Sequence, residues 1–374
     1  MVCLSVALLL RLAFVFIGFP FLEQRWHLRE DGDGYGVIAQ TIRDGRYEDV
    51  TRGPVYPLFV ALAGSSPTVK ILQALLDTVT CVFAWWLTQF VSAGVRDKDV
   101  APTKVGLAAA WLWAVYAFAI WRVAFINKEV VLTFLLAAYV CIQLAALRDL
   151  KPRQWLVAGG LLGLVNLCKP SFLLWPMVLL AFAPRRALFA LAAMAVVIAP
   201  WTMRNWRVTG GEFLPVATEA GGLTTFVGHY QPTLGLWEGP GKARWLAAVD
   251  EIKLRNTGAS AVELDRAFYR AAWQQVAGNP LKAIELAVRK CGRFWFLSAA
   301  RREQVLSFVI QVGYLALLGI GLWRLWPWTK EVRLMLVLIG YVMLVHALSY
   351  ADLRFSLPVM PLVCVLGATA LAKR

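Results

Sequence analysis

Two aspartates, Asp31 and Asp33, open a stretch that closes on Arg52, Pro54 and Pro57. A carboxylate placed like this can take the proton of an attacking hydroxyl, and a cation brought beside it can steady charge on a departing group. Further polar residues that need a reason follow at long intervals: Asn127, Lys128 and Glu129; Asn166 and Lys169; Arg204 and Asn205; His346, Asp352 and Arg354. Tyr35, Ile38, Ala39 and Ile42 recur at helix spacing, so "DGDGY" opens a short helix with Asp31 or Asp33 as its capping acid. A single cap does not account for two aspartates. Nor does it account for "RGPVYP", whose prolines stiffen the return of the chain and hold Arg52 at an interface.

A membrane must position these residues. The chain of 374 residues is 59% hydrophobic and 16% charged, with a mean hydropathy of +0.61. No soluble globular protein needs so much apolar surface. The sequence predicts an all-α polytopic protein with spans over Val2–Phe21, Pro67–Val91, Val105–Trp121, Lys128–Leu147, Trp155–Cys168, Pro170–Phe182, Ala187–Pro200, Val305–Trp323, Leu334–Ser349 and Phe355–Leu371. That makes about ten helices, several of them short. Seventeen tryptophans suit the aromatic belts of the bilayer interfaces. The net charge of +15 is spread among loops between spans, which orients a membrane protein and argues against a nucleic-acid partner. Five of the six cysteines fall in or beside apolar runs, Cys291 alone falls in a loop, and no CxxC occurs, so neither a disulfide framework nor a zinc site is indicated. The first span has no A-x-A-like cleavage site and reads as an anchor, and its position at the very start leaves an upstream start open.

Lysine and arginine counts place one set of loops in the cytoplasm, carrying Arg96, Lys98 and Lys104; Arg148, Lys151 and Arg153; Arg185 and Arg186; Arg324, Lys330 and Arg333; and Lys373 and Arg374. Both termini are then inside, and the chemistry-bearing residues above all map to the outer face. The expected organisation is an N-terminal transmembrane module over residues 1–200 with a catalytic first outer loop (22–53), an extracytoplasmic helical segment over 201–304, and C-terminal transmembrane helices over 305–374. Within the second segment, "NPLKAIELAVRKCGRFWFL" reads as an amphipathic helix along the interface.

Each residue also has a plainer use. Lys169 and Arg354 can snorkel to headgroups, Glu129 can cap a helix, and His346 can be a packed, hydrogen-bonded residue. Arg11 in the first span can snorkel or pair with a neighbour. Lys70, Gln73 and Asp77 form one polar helix face that packs inward. Glu219 and His229 could touch a ligand, with no strong reason in the sequence.

The motif "DGDGYGVIAQTIRDG" followed by "RGPVYPLFVAL" resembles the polyprenol-phosphate-sugar glycosyltransferases of the GT-C fold, in the protein O-mannosyltransferase and lipid A aminoarabinose transferase superfamily (glycosyltransferase family 39-like). "NKEVVLTFLL", "GGLLGLVNLCKPSFLLWP", "APWTMRNWRVTGG" and "HALSYADLRFSLPVMPL" extend the resemblance in order over most of the chain. The resemblance implies a GT-C fold and a first-loop aspartate, Asp31, as base. Gly32 stands where the family often has Glu, so Asp33 is the second candidate. It implies Arg52 beside the donor phosphate, an acidic Glu129, and basic positions at Lys169, Arg204 and Arg354, with Tyr35 and Asn205 near the substrate.

The expectation is an integral-membrane glycosyltransferase moving a sugar by inverting displacement from a polyprenyl-phosphate donor to an extracytoplasmic lipid, glycan or protein, in a prokaryotic plasma membrane. Carboxylates could also hold Mg²⁺ or Mn²⁺, though few matched ligands are visible. The alternative is a transporter or flippase for an anionic lipid or lipid-linked sugar. That would place its charges near the midplane, with repeated halves, and no repeat is visible.

Overall fold

The computed structural model describes residues 1–91, 102–149, 151–239, 241–296 and 304–371. Arg96, Lys98, Lys373 and Arg374 of the orientation count lie outside them. Among the described residues every regular element is helical. The first half comprises α1 (Val2–Trp26), α2 (Tyr35–Arg43), α3 (Val55–Ala63), α4 (Ser66–Val91), α5 (Pro102–Ala114), α6 (Ala117–Arg122), α7 (Glu129–Asp149), α8 (Pro152–Cys168), α9 (Pro170–Phe182) and α10 (Pro184–Val208). The second comprises α11 (Gly221–His229), α12 (Lys242–Arg255), α13 (Ala261–Gly278), α14 (Pro280–Phe296), α15 (Gln304–Arg324), α16 (Lys330–Leu348) and α17 (Leu353–Leu371), the last opening as a 3-10 turn.

Seven of these, α1, α4, α7, α10, α15, α16 and α17, are long and apolar enough to cross a bilayer. The remaining expected runs are present as shorter helices. The run over Val105–Trp121 is broken, because Tyr116 takes an extended conformation between α5 and α6. Cys291, expected in a loop, lies inside α14.

The centre of the bundle is α17, buried without interruption from Met360 to Thr369. A helix apolar on every side takes the middle. It packs among α4, α5 and α15, and its 3-10 opening packs on α7. In lipid, apolar helices gain little by leaving their solvent, so close packing of small residues matters. A Cβ at Gly321 would come 2.1 Å from the Leu366 carbonyl oxygen on α17, and one at Gly159 would come 2.2 Å from that of Ala190. Gly163, one turn on from Gly159, meets Val197 in the same way, so the small-residue face of α8 seats α10.

Several polar residues inside the bundle tie it together. Arg11 and Asp77, both buried, pair at 2.5 Å, and Arg11 also donates to the carbonyls of Ala7 and Ala114. Removing one member of such a pair costs about 3–5 kcal/mol, because the other charge is left buried. Lys70 reaches Glu30 at 2.5 Å. Gln73 accepts from the Tyr56 hydroxyl at 2.8 Å and donates to the carbonyls of Val123 and Phe125. The polar stripe of α4 thus fixes the chain between Glu30 and Tyr56 against the bundle.

Helices α11 to α13 bury their own apolar cluster around Phe226, Trp245, Val249 and Phe268. A capping box between Ser260 and Glu263 starts α13. Helix α14 turns Leu286 and Phe294 inward and packs on α16.

Candidate active site

A cavity of about 960 Å³ lies where the loop before α2, the start of α7, the end of α8, the turn before α11, and the link between α16 and α17 converge. Its charged lining is Asp33, Arg52, Lys128, Glu129, Lys169, Glu219 and Arg354.

The two aspartates have different surroundings. Asp31 accepts the backbone amides of Tyr35 at 2.8 Å and Gly36 at 2.7 Å, one on each carboxylate oxygen. It caps α2, and the missing side chain of Gly36 lets it approach, since a Cβ there would lie 2.9 Å from Oδ2. Asp33 lines the cavity, with Oδ2 3.4 Å from Nη1 of Arg354. The same guanidinium has Nε 3.9 Å from Oε1 of Glu129. Glu129, 2% exposed, is the first residue of α7, where the helix dipole favours an anion, and its Oε2 has no hydrogen-bond partner.

A third acid of the cavity arrives from far along the chain. Glu219 forms an ion pair with Lys128 and accepts the amide of Gly53 at 2.9 Å. Burial alone would raise its carboxyl, but Lys128 and Arg52 outweigh burial and hold it below the usual range. The turn that delivers it is strained: Glu219 and Ala220 have φ of 54° and 49°, left-handed values that side chains disfavour. Gly53 is required for close approach, because a Cβ there would sit 2.4 Å from the carbonyl oxygen of Leu167 at the end of α8.

Two basic residues of the lining form no direct ion pair with a carboxylate among the described residues, and burial lowers one of them, Lys169, to about 7. Arg52 is half-buried beside the cavity, close enough to Glu219 to act on its charge but without a direct ion pair among the described residues. Lys169 stands with Nζ 3.2 Å from Nε2 of His346 and 4.1 Å above the Phe355 ring, both uncharged partners. Tyr35 is buried with its ring edge against Tyr56, and burial holds its phenol well above the ordinary range, so it remains neutral.

Not every residue singled out in the sequence joins the cavity. Arg204 donates to the carbonyls of Asp49, at 2.8 Å, and Tyr47, and its guanidinium lies over Tyr47 and Trp201. Asn205 donates to the carbonyls of Leu214 at 3.0 Å and Val216 at 2.7 Å. Both tie the end of α10 to neighbouring loops. Conversely, the Lys128–Glu219 pair and His229 on the cavity wall were weakly signalled, because nothing in the local sequence marks a left-handed turn at Glu219.

A divalent cation fits these donors poorly. Asp33 and Glu129 face Arg354, Glu219 faces Lys128, and among the described residues no three acids, histidines or cysteines are grouped to hold a metal.

No known protein family and no curated protein matches the chain by sequence. Among solved structures it is similar to an oligosaccharyltransferase of Archaeoglobus fulgidus in its apo form, with 16% identity and a TM-score of 0.57. The match covers 99% of this chain and 50% of that one, so the chain spans about half the length of the structure it resembles. Seven apolar helices long enough to span a bilayer, a wholly helical architecture among the described residues, and this likeness over nearly the whole chain give the GT-C fold.

Proposed function

We propose that the chain is an integral-membrane glycosyltransferase of the polyprenol-phosphate-sugar type. It transfers one sugar from a polyprenyl-phosphate donor to an acceptor on the extracytoplasmic face of a prokaryotic plasma membrane. The observation that carries this reading is the convergence of four basic side chains, Arg52, Lys128, Lys169 and Arg354, with an acid, Asp33, on one cavity at one end of an apolar bundle. A phosphate placed there would pair with Arg52 and restore the charge that burial weakens on Lys169. A donor whose tail lies in lipid and whose phosphate reaches a site at the end of the helices supplies one.

In this reading the donor phosphate rests on Arg52 and Lys169. Asp33 takes the proton of the acceptor hydroxyl as its oxygen bonds to the anomeric carbon. The bond from that carbon to the phosphate oxygen breaks, and the electron pair leaves with the lipid phosphate, whose charge the two cations stabilise. A single displacement inverts the anomeric configuration. Arg354, shared by Asp33 and Glu129, holds the base in place, and Asp31 positions the loop through its cap. The archaeal protein of the same fold is an oligosaccharyltransferase, which is in keeping with lipid-linked sugar chemistry.

Purified protein in lipid, incubated with labelled polyprenyl-phosphate sugars and a membrane extract as acceptor, tests this. Asp33→Asn is expected to lower kcat by about 10²- to 10⁴-fold while donor binding persists. Asp31→Asn should instead lower thermal stability, since an amide offers an N–H where Gly36 needs an acceptor, by about 0.5–2 kcal/mol. Full transfer by Asp33→Asn would remove it as base. Lipid movement across the bilayer without label transfer would favour the flippase.

A further inference from the structure

The cavity lining holds four bases, Arg52, Lys128, Lys169 and Arg354, against three acids, Asp33, Glu129 and Glu219. Asp33 and Glu129 face Arg354, while Glu219 pairs with Lys128 and feels Arg52. Lys169 has no direct contact with any of these acids among the described residues. Its place follows from the sequence "NLCKPS". A residue before proline is turned away from helical geometry, so α8 ends here and Lys169 takes an extended φ of −151° and ψ of 115°. Its charged neighbours are Lys128 and Glu129 from the start of α7, Glu219 from the turn before α11, and Arg354 from the opening of α17. Cys168 precedes it on α8, and His346 faces it from α16. Burial first, and then Lys128, weaken its hold on a proton.

His346 fixes where that amine points. Nδ1 of its ring lies 3.1 Å from the Tyr350 carbonyl, which can only accept, so the ring proton sits on Nδ1. Nε2 then carries a lone pair, and the Lys169 amine 3.2 Å away donates to it. The imidazole lies flat on the Phe355 ring, with centroids 4.2 Å apart and planes 6° apart. The same Phe355 ring lies 4.1 Å from Nζ of Lys169. Phe294 of α14 also stacks on the imidazole, at 6.1 Å. Packing thus holds the acceptor, and the acceptor holds the amine.

We propose that His346 is a positioning residue that aims Lys169 at the donor phosphate, and that donor binding adds one proton to Nζ. With Lys169 as the neutral amine, three bases of the lining face three acids. A phosphodiester brings one negative charge, and a proton taken from water onto the Nζ lone pair matches it. One N–H of the resulting ammonium stays on His346, and the others remain for the phosphate. Below about pH 7 the lysine carries its proton with or without the donor. Above that value only the complex carries it, so donor affinity falls as pH rises. The inference rests on the transferase reading above, and it gives the donor site a dependence on pH.

Calorimetry on the whole protein in nanodiscs tests it, with a polyprenyl methyl phosphodiester as probe. The single charge of that probe does not titrate near neutrality, and no choice of sugar is needed. Titrations from about pH 6 to about pH 9, in buffers of different ionisation enthalpy, count the protons taken up. The parent should take up close to one proton at about pH 8, its affinity falling by up to about tenfold per pH unit above neutrality. Lys169→Met should take up none, bind about tenfold more weakly near pH 6, and approach the parent at about pH 9. His346→Leu should weaken binding about tenfold, and His346→Gln, whose side-chain oxygen accepts the same N–H, should restore both affinity and uptake. Undiminished uptake in Lys169→Met, or lost uptake with full affinity in His346→Gln, would put the proton elsewhere and overturn the inference. Equal affinity in His346→Leu and the parent would overturn the positioning role. Lys169→Met breaks no ion pair, so it decides the proton uptake even where a change at the packed His346 disturbs folding. Probe binding by the parent without proton uptake overturns this inference alone, whereas no binding at any pH strikes the transferase reading as well.

Discussion

Arg52 and Lys169 are alike in charge and unlike in support. Arg52 stands on a stiff proline-flanked turn beside an anchored glycine, while Lys169 follows the last turn of α8 and rests over an aromatic ring. If both receive the donor phosphate, Arg52→Ala should raise the donor KM about ten- to a hundredfold and lower kcat as well, with Arg52→Lys recovering only part, because an ammonium cannot reproduce a bidentate fork. Lys169→Met should do the same, its direct contacts being His346 and the Phe355 ring. Steady-state kinetics with varied donor would read both, and unchanged constants in both variants would leave the phosphate elsewhere. At this scale the sequence placed Asp33, Arg52, Glu129, Lys169 and Arg354 within reach of one another through their common end of the helices. It ranked Asp31 above Asp33, and two acids two residues apart look the same in sequence, whereas the fold places one on the amides of Tyr35 and Gly36 and the other beside Arg354. Arg204 looked equivalent to the other cations, and only the fold shows its guanidinium occupied by the carbonyls of Tyr47 and Asp49.

Among the elements, the turn through Gly53 and helix α14 carry the next consequences. Gly53→Ala would drive a methyl group into the Leu167 carbonyl, displacing Arg52 and the amide held by Glu219. A loss of about 1–3 kcal/mol in stability and near-complete loss of transfer are expected, read by thermal unfolding and by activity, with Gly292→Ala, where nothing lies within 4 Å, as the tolerated control. Helix α14 inserts Lys290, fully buried, whose Nζ donates to the Ser349 carbonyl at 2.8 Å. Burial, and then Arg293, lower this lysine to about 7 from its ordinary 10.5. Between those values only the unfolded chain carries the proton, so folding gains as pH rises through the window and is weakest below about 7. The thermal midpoint of the parent should climb with pH over that range, and Lys290→Met should flatten the climb; identical slopes would show that Lys290 does not titrate there. Helix existence was legible from apolar runs, and the boundaries of α4, α7 and α16 fall within a few residues of expectation. The break at Tyr116 was not legible, because an uninterrupted apolar run carries no mark of a change in backbone direction.

For the whole molecule, hydropathy sufficed to reveal a helical membrane bundle, and motif order sufficed to point to the GT-C fold. Neither could show which helix would be central, since in lipid every apolar helix looks equally suited to the middle. Here that place belongs to α17, the segment translated after all the helices it touches. Helices α4, α5 and α15 are therefore made before their common partner exists. Arg354, which holds Asp33 and Glu129, rides on the opening turn of that same segment. Closing the bundle and completing the charged cavity are thus one event in the life of the chain, and before it the cavity lacks the cation that lies between Asp33 and Glu129.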